Sequence, residues 1–276
     1  MAVPNKGRLR GPTIELLQAA GLAFEATDRA LSVSVANADI DLLFVRTEDI
    51  AELIADGVAD LGITGVDLLE EYGTGPAVLL ELGYGRCRLA AAVPNASTLQ
   101  DVADFAGARV ATAHPGVTTR YFAQMGVEVT VVPLRGSVEV ATKLGVADGI
   151  VDLVSTGSTL RVNGLREIGT LVESEAVLVS GGRANGAVDR IATAVRSVVA
   201  ARRKRYVLLN APTSSVDAIA ALIPGLAAPT VMPLAGGAMA AVHSVIDAGD
   251  VWHLLPRLEE AGGQGILVLP IEQLIP

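Results

Sequence analysis

The sequence predicts an α/β protein of two lobes, followed by a smaller unit in which helices and strands alternate in a different order. Three observations carry that expectation. Short apolar runs alternate with amphipathic stretches along the chain, which is how strands and helices in packed layers read. The alternation restarts near residue 109 and changes character after residue 205. Hydrophobic residues make up 51% of the chain but aromatic ones only 3%. The cores must then be built from Ala, Val, Leu and Ile, as suits buried, largely parallel strands.

The elements follow in order. Residues 12–21 read as a helix ended near Gly21. The run 40–46 is a strand, and 47–57 is a helix with Thr47 as N-cap and Gly57 at its end. Strand 59–65 leads into a helix from Val66 to Tyr72, and 77–85 and 87–94 are further strands. After the restart come strand 109–113, helix 117–126 and strand 127–134, then a helix opening at Ser137 as N-cap and the strand GIVDLV at 149–154. Residues 166–180 return as two strands. Two α/β units joined by two crossings suggest lobes with a cleft between them: residues 1–90 with 166–185, and residues 91–165, with Pro94-Asn95 marking the first crossing. Residues 181–187 read as a linker or helix entry, and a helix over 188–204 follows. The C-terminal part, 196–276, reads strand, helix, two strands, a helix carrying Pro256 and a last strand. That βαββαβ order is the ferredoxin-like unit, which often binds an amino acid or pairs with a neighbouring subunit.

Composition narrows the function. The 276 residues carry a net charge of −9, which argues against nucleic acid or an anionic membrane surface as partner. Cys87 is the single cysteine, so no intrachain disulfide forms, and no Cys/His spacing suggests a metal cage. No stretch approaches the ~20 apolar residues of a membrane span. The N-terminal basic cluster is not followed by an apolar signal core, so a cytoplasmic protein is expected.

Residues 144–160, LGVADGIVDLVSTGSTL, are the most informative segment. A strand enters a Ser/Thr/Gly loop and a helix begins, so free N–H groups, hydroxyls and a helix dipole converge on one point. That arrangement cradles phosphate, although it also describes a helix start capped by Ser158 or Thr159. Asp152 just before the loop could orient a metal-bound or hydroxyl-bearing ligand. In VPNKGRL (3–9), Lys6 and Arg8 flank Gly7 where a strand gives way to a loop, a usual ligand position in open α/β sheets. Both suit phosphate oxygens; a solvated basic terminus is the plain alternative. DLGITGVDL (60–68) sets Gly62, Thr64 and Gly65 at a strand end and Asp67 in the next helical turn. Arg46 closes the neighbouring strand, and at most one of Arg86 and Arg88 faces a ligand. Glu139 either serves the helix dipole or points into the cleft as a metal or ribose ligand. Of the histidines, His253 reads as structural, while His114 lies at a strand end and could touch ligand.

Five segments in this order, VPNKGRL (3–9), DLGITG (60–65), LGYGRCRLAAAVP (82–94), RGSVEVATKLGVADGIVDLVSTGSTL (135–160) and PTVMPLA (229–235), resemble ATP phosphoribosyltransferase, which opens histidine biosynthesis. The resemblance covers essentially the whole chain, and the C-terminal unit makes it similar to the long form, which carries its own regulatory domain. It implies a two-lobed catalytic part like the periplasmic binding proteins. It also implies transfer of phosphoribosyl from phosphoribosyl pyrophosphate (PRPP) to N1 of ATP with release of pyrophosphate and a requirement for Mg²⁺. A homo-oligomer, dimer or hexamer, and inhibition by L-histidine through the C-terminal domain come with it. By the same resemblance, Asp152, Ser155, Thr156, Gly157, Ser158 and Thr159 match the PRPP loop, and Lys6, Arg8, Arg46, Gly62, Thr64 and Asp67 match the nucleotide cleft. Lys6, Glu139 and Asp152 are the expected catalytic residues. Asn210, Leu226, Thr230 and Gly265, with Val245 nearby, match the histidine contacts. Two departures stand out: Asn210 replaces an acid found in some members, and His114 stands where members often carry Tyr. The resemblance leaves the magnesium ligands open.

Two other readings fit parts of the pattern. A two-lobed binding protein for an amino acid or oxyanion shares the lobes, but the absent signal sequence and the added domain speak against it. Another PRPP-dependent transferase would carry paired acids ahead of its loop, whereas here only Asp152 immediately precedes it, with Asp148 four residues earlier.

Overall fold

The computed structural model describes residues 1–27, 30–73, 75–182 and 186–275; three residues of the 181–187 linker segment lie outside them. The chain forms two compact units, one of Met1–Glu15 with Leu22–Asp189 and one of Leu16–Gly21 with the chain from Arg190 onward.

In the first unit the elements are β1 (Ala2–Pro4), α1 (Arg10–Ala19), β2 (Ser32–Ser34), β3 (Asp41–Val45), α2 (Ile50–Ala55), β4 (Leu61–Gly65), α3 (Val66–Tyr72), β5 (Ala77–Glu81), β6 (Cys87–Pro94), β7 (Arg109–Thr112), α4 (Pro115–Gln124), β8 (Thr130–Pro133), β9 (Gly149–Val154), α5 (Ser158–Val162), β10 (Leu165–Ser174) and β11 (Ala176–Ser180). They build two sheets. The first has the order β2-β3-β1-β4-β11-β5 and the second β10-β6-β9-β7-β8. The centre of the first is parallel, β3-β1-β4, and so is one half of the second, β9-β7-β8. Each sheet is the framework of one lobe.

The crossings between lobes differ from the sequence expectation. β6 and β10 pair antiparallel over their length, Cys87 opposite Ser174 and Pro94 opposite Leu165, and both belong to the second sheet. The chain therefore leaves the first lobe ahead of Cys87 rather than at Pro94-Asn95, and returns between Ser174 and Ala176 rather than at residue 166. The apolar run 87–94 reads equally well as a strand of either sheet; the β6–β10 pairing decides which.

The second sheet is buried on both faces, and β6 shows how. Leu89, Ala91 and Val93 join Phe105, Val110 and Phe122 on one face, while Ala90 and Ala92 join Ile150, Val154 and Leu160 on the other. Successive strand residues point to opposite faces, so a run without polar residues is what a two-sided core requires. The first lobe packs Ile50, Ala51 and Ile54 of α2 on Ala2, Val177 and Val179.

Two expected helix starts are different. Thr47 opens a 3₁₀ turn, Thr47–Asp49, with Arg46 in the capping position and no side chain bonded to it. Ser137 does precede a helical turn, but that turn is 3₁₀, Val138–Val140, and the Ser137 hydroxyl makes no cap. Its positive φ of 50° points the chain into the turn without one.

The second unit contains α6 (Gly186–Arg202), which begins in the first unit's last residues, then β12 (Lys204–Pro212), α7 (Val216–Leu222), β13 (Thr230–Pro233), β14 (Met239–Asp247), α8 (Val251–Glu260) and β15 (Gln264–Pro270). The sheet order is β13-β14-β12-β15, all antiparallel, which is the expected ferredoxin-like βαββαβ arrangement. Val207, Leu209 and Val242 pack with Ile219 of α7 and Leu258 of α8, so both helices cover one face of the sheet.

Packing at Gly149 gives a test of the second lobe. A Cβ there would lie 2.4 Å from Phe105 Cε1 and 3.0 Å from the Ala92 carbonyl oxygen, and Phe105 is fully buried with its ring edge on Phe122. Gly149→Ala should cost about 1–3 kcal/mol of stability by overpacking. Urea denaturation measures it, and an unchanged midpoint would show that the Phe105 ring yields freely.

Candidate functional site

The cleft between the lobes of the first unit opens from the loop after β1. Val3 and Pro4 are held inside the sheet by β3, and Asn5 N–H donates to the Val45 carbonyl at 2.8 Å. The chain then turns through Gly7, whose φ of 77° suits glycine. Lys6 and Arg8 are thereby left exposed on either side. Both line a cavity of about 510 Å³ together with Thr47, Asp67, Glu71 and His114, among others.

Asp67 is the buried centre of this site, 1% exposed. It stands in the first turn of α3, whose N-cap is Gly65. A Cβ on Gly65 would lie 2.3 Å from Asp67 Oδ1, so the glycine is what lets the carboxylate fold back over the helix start. There it accepts a short hydrogen bond from the Ser174 hydroxyl, and the same Ser174 oxygen accepts from the Asp67 N–H at 3.1 Å. Arg8 Nη2 lies 3.8 Å from Oδ1, and His114 Nε2 lies 3.6 Å from Oδ2. Burial pushes the Asp67 carboxyl up, but hydrogen bonding from His114 and Ser174 and the Arg8 charge outweigh it and hold the group below the usual aspartate range. A carboxylate so buried stays ionised because its partners repay the desolvation.

Arg8 is fixed a second time by the Gly85 carbonyl, 3.0 Å from Nη1. Glu71, one helical turn after Asp67 and so on the same face of α3, reaches across to the second lobe. Its two carboxylate oxygens accept from the N–H groups of Gly116 and Val117, each at 2.8 Å. A negative charge thus satisfies the first turn of α4. The Arg120 guanidinium adds a bond to the Glu70 carbonyl. These contacts tie α3 to α4 on one side of the cleft.

On the second lobe, Leu153 of β9 lines the cavity, while its neighbour Asp152 does not. Asp152 accepts from the Leu153 N–H at 2.8 Å. Burial raises its carboxyl above the usual range against that bond, and the nearby Glu139 charge adds to the rise. After β9, Ser155, Thr156, Ser158 and Thr159 form an exposed loop. Gly157, at a φ of 74°, takes the N-cap position of α5, and no side chain caps the helix. The Thr156 and Ser158 hydroxyls are 3.0 Å apart. The expected alternative, a helix start capped by Ser158 or Thr159, does not hold: neither side chain caps α5, and the Ser158 hydroxyl bonds the Thr156 hydroxyl instead.

The cavity does not gather every expected residue. Lys6, Arg8 and Asp67 line it. Gly62, Thr64, Arg46, Asp152 and Glu139 do not. Gly62 is buried in β4, where a Cβ would lie 2.6 Å from Ile50 Cγ2; its small size serves strand-on-helix packing. Thr64 is fully buried, and its hydroxyl donates to the Thr47 carbonyl at 3.2 Å. Arg46 lies exposed at the start of the 3₁₀ turn. The loop 155–159 also lies off the lining. Neither Arg86 nor Arg88 lines the cavity: Arg88 grips Glu167 with two bonds of 2.7 and 2.6 Å, and Arg86 faces Glu175 at 3.5 Å. Thr47, Glu48, Glu71 and Tyr72 line the cavity without having been singled out. Glu71 was within reach of the sequence, since it follows Asp67 by four residues on a helix.

In the second unit, the candidate regulatory residues share a surface. Asn210 pairs with Ala241 and Gln264, Thr230 with His243, and Val245 with Tyr206. Strand alternation puts Asn210, Thr230 and Val245 on the face away from α7 and α8. Gly265, at a φ of 59°, follows the register shift opposite Asn210, and Leu226 is exposed in the turn before β13. On the same face the Tyr206 hydroxyl meets His243 Nδ1.

The fit to a divalent cation is that of a shared site. Among the described residues, no three His, Cys, Asp or Glu side chains gather as a cage. The Glu139 charge is near enough to add to the rise of the Asp152 carboxyl, and a cation held by one or two carboxylates and by substrate phosphates is the usual magnesium arrangement. Among the described residues no helix is long and apolar enough to cross a membrane.

Known proteins are similar to this chain over its whole length. Residues 46–198 match the ATP phosphoribosyltransferase family, and residues 201–273 match the HisG C-terminal domain. An ATP phosphoribosyltransferase of Gemmatimonas aurantiaca is 44% identical over 290 positions, covering 100% of this chain and 99% of the relative. One from Methanothermobacter thermautotrophicus is 42% identical over 283 positions with the same coverage. A solved ATP phosphoribosyl transferase (HisG:HisZ) complex from Thermotoga maritima superposes with a TM-score of 0.61 at 29% identity, over 71% of this chain and 92% of that one. With its two-lobed first unit, its ferredoxin-like second unit and these relatives, the chain belongs to the ATP phosphoribosyltransferase family.

Proposed function

We propose that the chain transfers the phosphoribosyl group of PRPP to N1 of ATP, releases pyrophosphate, and is inhibited by L-histidine at its C-terminal unit. The observation that carries this reading is that Lys6 and Arg8 share a 510 Å³ cavity with Leu153, a residue of the strand that carries Asp152 and leads into the exposed loop 155–159. In a chain of net charge −9, the exposed cations of the first loop make a local anion site.

Adenine N1 has a lone pair and no proton, so it attacks ribose C1 without a strong general base. The N1–C1 bond forms as the C1–O bond to pyrophosphate breaks, and the electron pair leaves with pyrophosphate. The cationic adenine then sheds a proton from its exocyclic amine. Lys6 and Arg8 lie where they hold phosphate oxygens, and holding two polyanions in line is worth about 7–11 kcal/mol of barrier. Ser155, Thr156, Gly157, Ser158 and Thr159 bind the PRPP 5′-phosphate through N–H groups and hydroxyls. Asp152 and Glu139 are the carboxylates that would help hold a Mg²⁺ ion, which would supply neutralising charge for the leaving group. Asp152 or Glu139 also faces the positive charge that develops at the ribose.

L-Histidine binds the open face of the C-terminal sheet through Asn210, Leu226, Thr230, Val245 and Gly265. A ligand there inhibits only by favouring one state of the protein over another, which fits a homo-oligomer of dimer and hexamer forms. Use of ATP and PRPP fits a cytoplasmic enzyme.

Lys6→Ala should lower kcat by at least about 100-fold, as removal of one transition-state charge partner does, with the circular dichroism of the fold retained. Absorbance of the product from ATP plus PRPP is the assay, and near-normal turnover removes Lys6 from the chemistry. No product from the unaltered protein would return the chain to the binding-protein reading. Thr230→Ala should raise the histidine concentration for half-inhibition about tenfold, the loss of one hydrogen bond to a charged ligand. Inhibition at the original concentration would move the regulatory site elsewhere.

A further inference from the structure

His114 stands at the N-terminal end of α4, immediately before Pro115, and its side chain is nearly buried at 6% exposure. Its backbone is pinned on both sides. The N–H donates to Thr112 Oγ1 at 2.9 Å, and the carbonyl accepts from the Thr118 hydroxyl at 2.7 Å. The imidazole therefore has a fixed base. Its Nε2 crosses from the second lobe to Asp67 Oδ2 at 3.6 Å, while its Nδ1 is buried and has no hydrogen-bond partner among the described residues.

A histidine kept only for core stability would be expected to satisfy both nitrogens. This one leaves an acceptor unpaired in dry surroundings, a cost set against a single contact with Asp67. Asp67 in turn shares its other oxygen between the Ser174 hydroxyl and Arg8. Among the described residues Arg8 is otherwise held by the Gly85 carbonyl, and it lines the cavity that His114 and Asp67 also line. Asp67 Oδ2 is an acceptor that faces Nε2, so Nε2 is the ring nitrogen placed to donate to it.

We propose that His114 is a positioning residue for the nucleotide: its Nε2–H, reaching over from the second lobe, fixes the Asp67 carboxylate and thereby the Arg8 guanidinium that meets ligand phosphates. This rests on the proposed transferase activity and adds a residue to it. The role runs through Asp67 and needs no contact between His114 and the substrate. It also makes the nucleotide site of the first lobe depend on a residue of the second.

The test compares His114→Leu with His114→Gln, whose amide N–H reaches the Nε2 position. H114L should raise the KM for ATP about tenfold, the worth of one hydrogen bond to a charged group. The KM for PRPP should stay within about twofold, and H114Q should recover most of the loss. An unchanged KM for ATP in H114L, or equal damage in both variants, overturns the proposal. If H114L does not fold, H114Q and H114N make the same comparison, since the Asn amide sits near Nδ1 instead. Retention by H114Q with loss by H114N supports the role, and the reverse defeats it. Imidazole ¹⁵N shifts give an independent readout: a protonated Nε2 and bare Nδ1 that change in D67N support the contact, and a protonated neutral Nδ1 refutes it. If the unaltered protein makes no product, the activity assignment falls, and the nitrogen shifts then decide the contact alone.

Discussion

The first unit depends on one buried charge. Asp67 is removed from water at the start of a helix, where a lone carboxylate would be costly by several kcal/mol. It is tolerated because the β10 end supplies Ser174, the loop after β1 supplies Arg8, and α4 supplies His114. Those partners come from both lobes. The carboxylate thus couples where the lobes meet to where the cavity cations point. Gly65, lacking a Cβ, is the condition that lets it turn inward.

The sheets around that centre follow from an unusual economy of side chains. With 3% aromatic residues, the second lobe has few large rings to fill its core, and Phe105 and Phe122 meet edge to face on one side only. The other side is packed with Ala90, Ala92, Ala111, Ala141 and Ala147 among aliphatic residues. Small residues allow layers to approach closely, but they make the fit sensitive to any added atom. The same logic explains why glycines in the central strands serve packing, as Gly62 does against α2, and not only ligand approach.

The second unit solves a different problem. Its helices cover one face of a four-stranded antiparallel sheet and leave the other to Tyr206, Leu208, Asn210, Thr230, His243 and Val245. A face carrying apolar and hydrogen-bonding side chains together is suited to a small amphipathic ligand, and the βαββαβ order produces it by alternation alone.

The α/β class, the two-sheet first unit and the βαββαβ order were legible before any coordinates. Those follow from periodicity and composition, which are local properties. The sequence also pointed to Lys6, Arg8 and Asp67, because a strand end followed by a Gly-containing loop exposes whatever charges stand there. Only the tertiary structure decided that β6 and β10 belong to one sheet, since an apolar strand carries no label for its partner. It likewise decided that Gly62 and Thr64 are packed inward while Glu71 and His114 face the cleft. Those outcomes depend on which backbone groups and side chains meet across distant parts of the chain, and the physical reason is that burial and pairing are properties of the assembled layers rather than of any segment read alone.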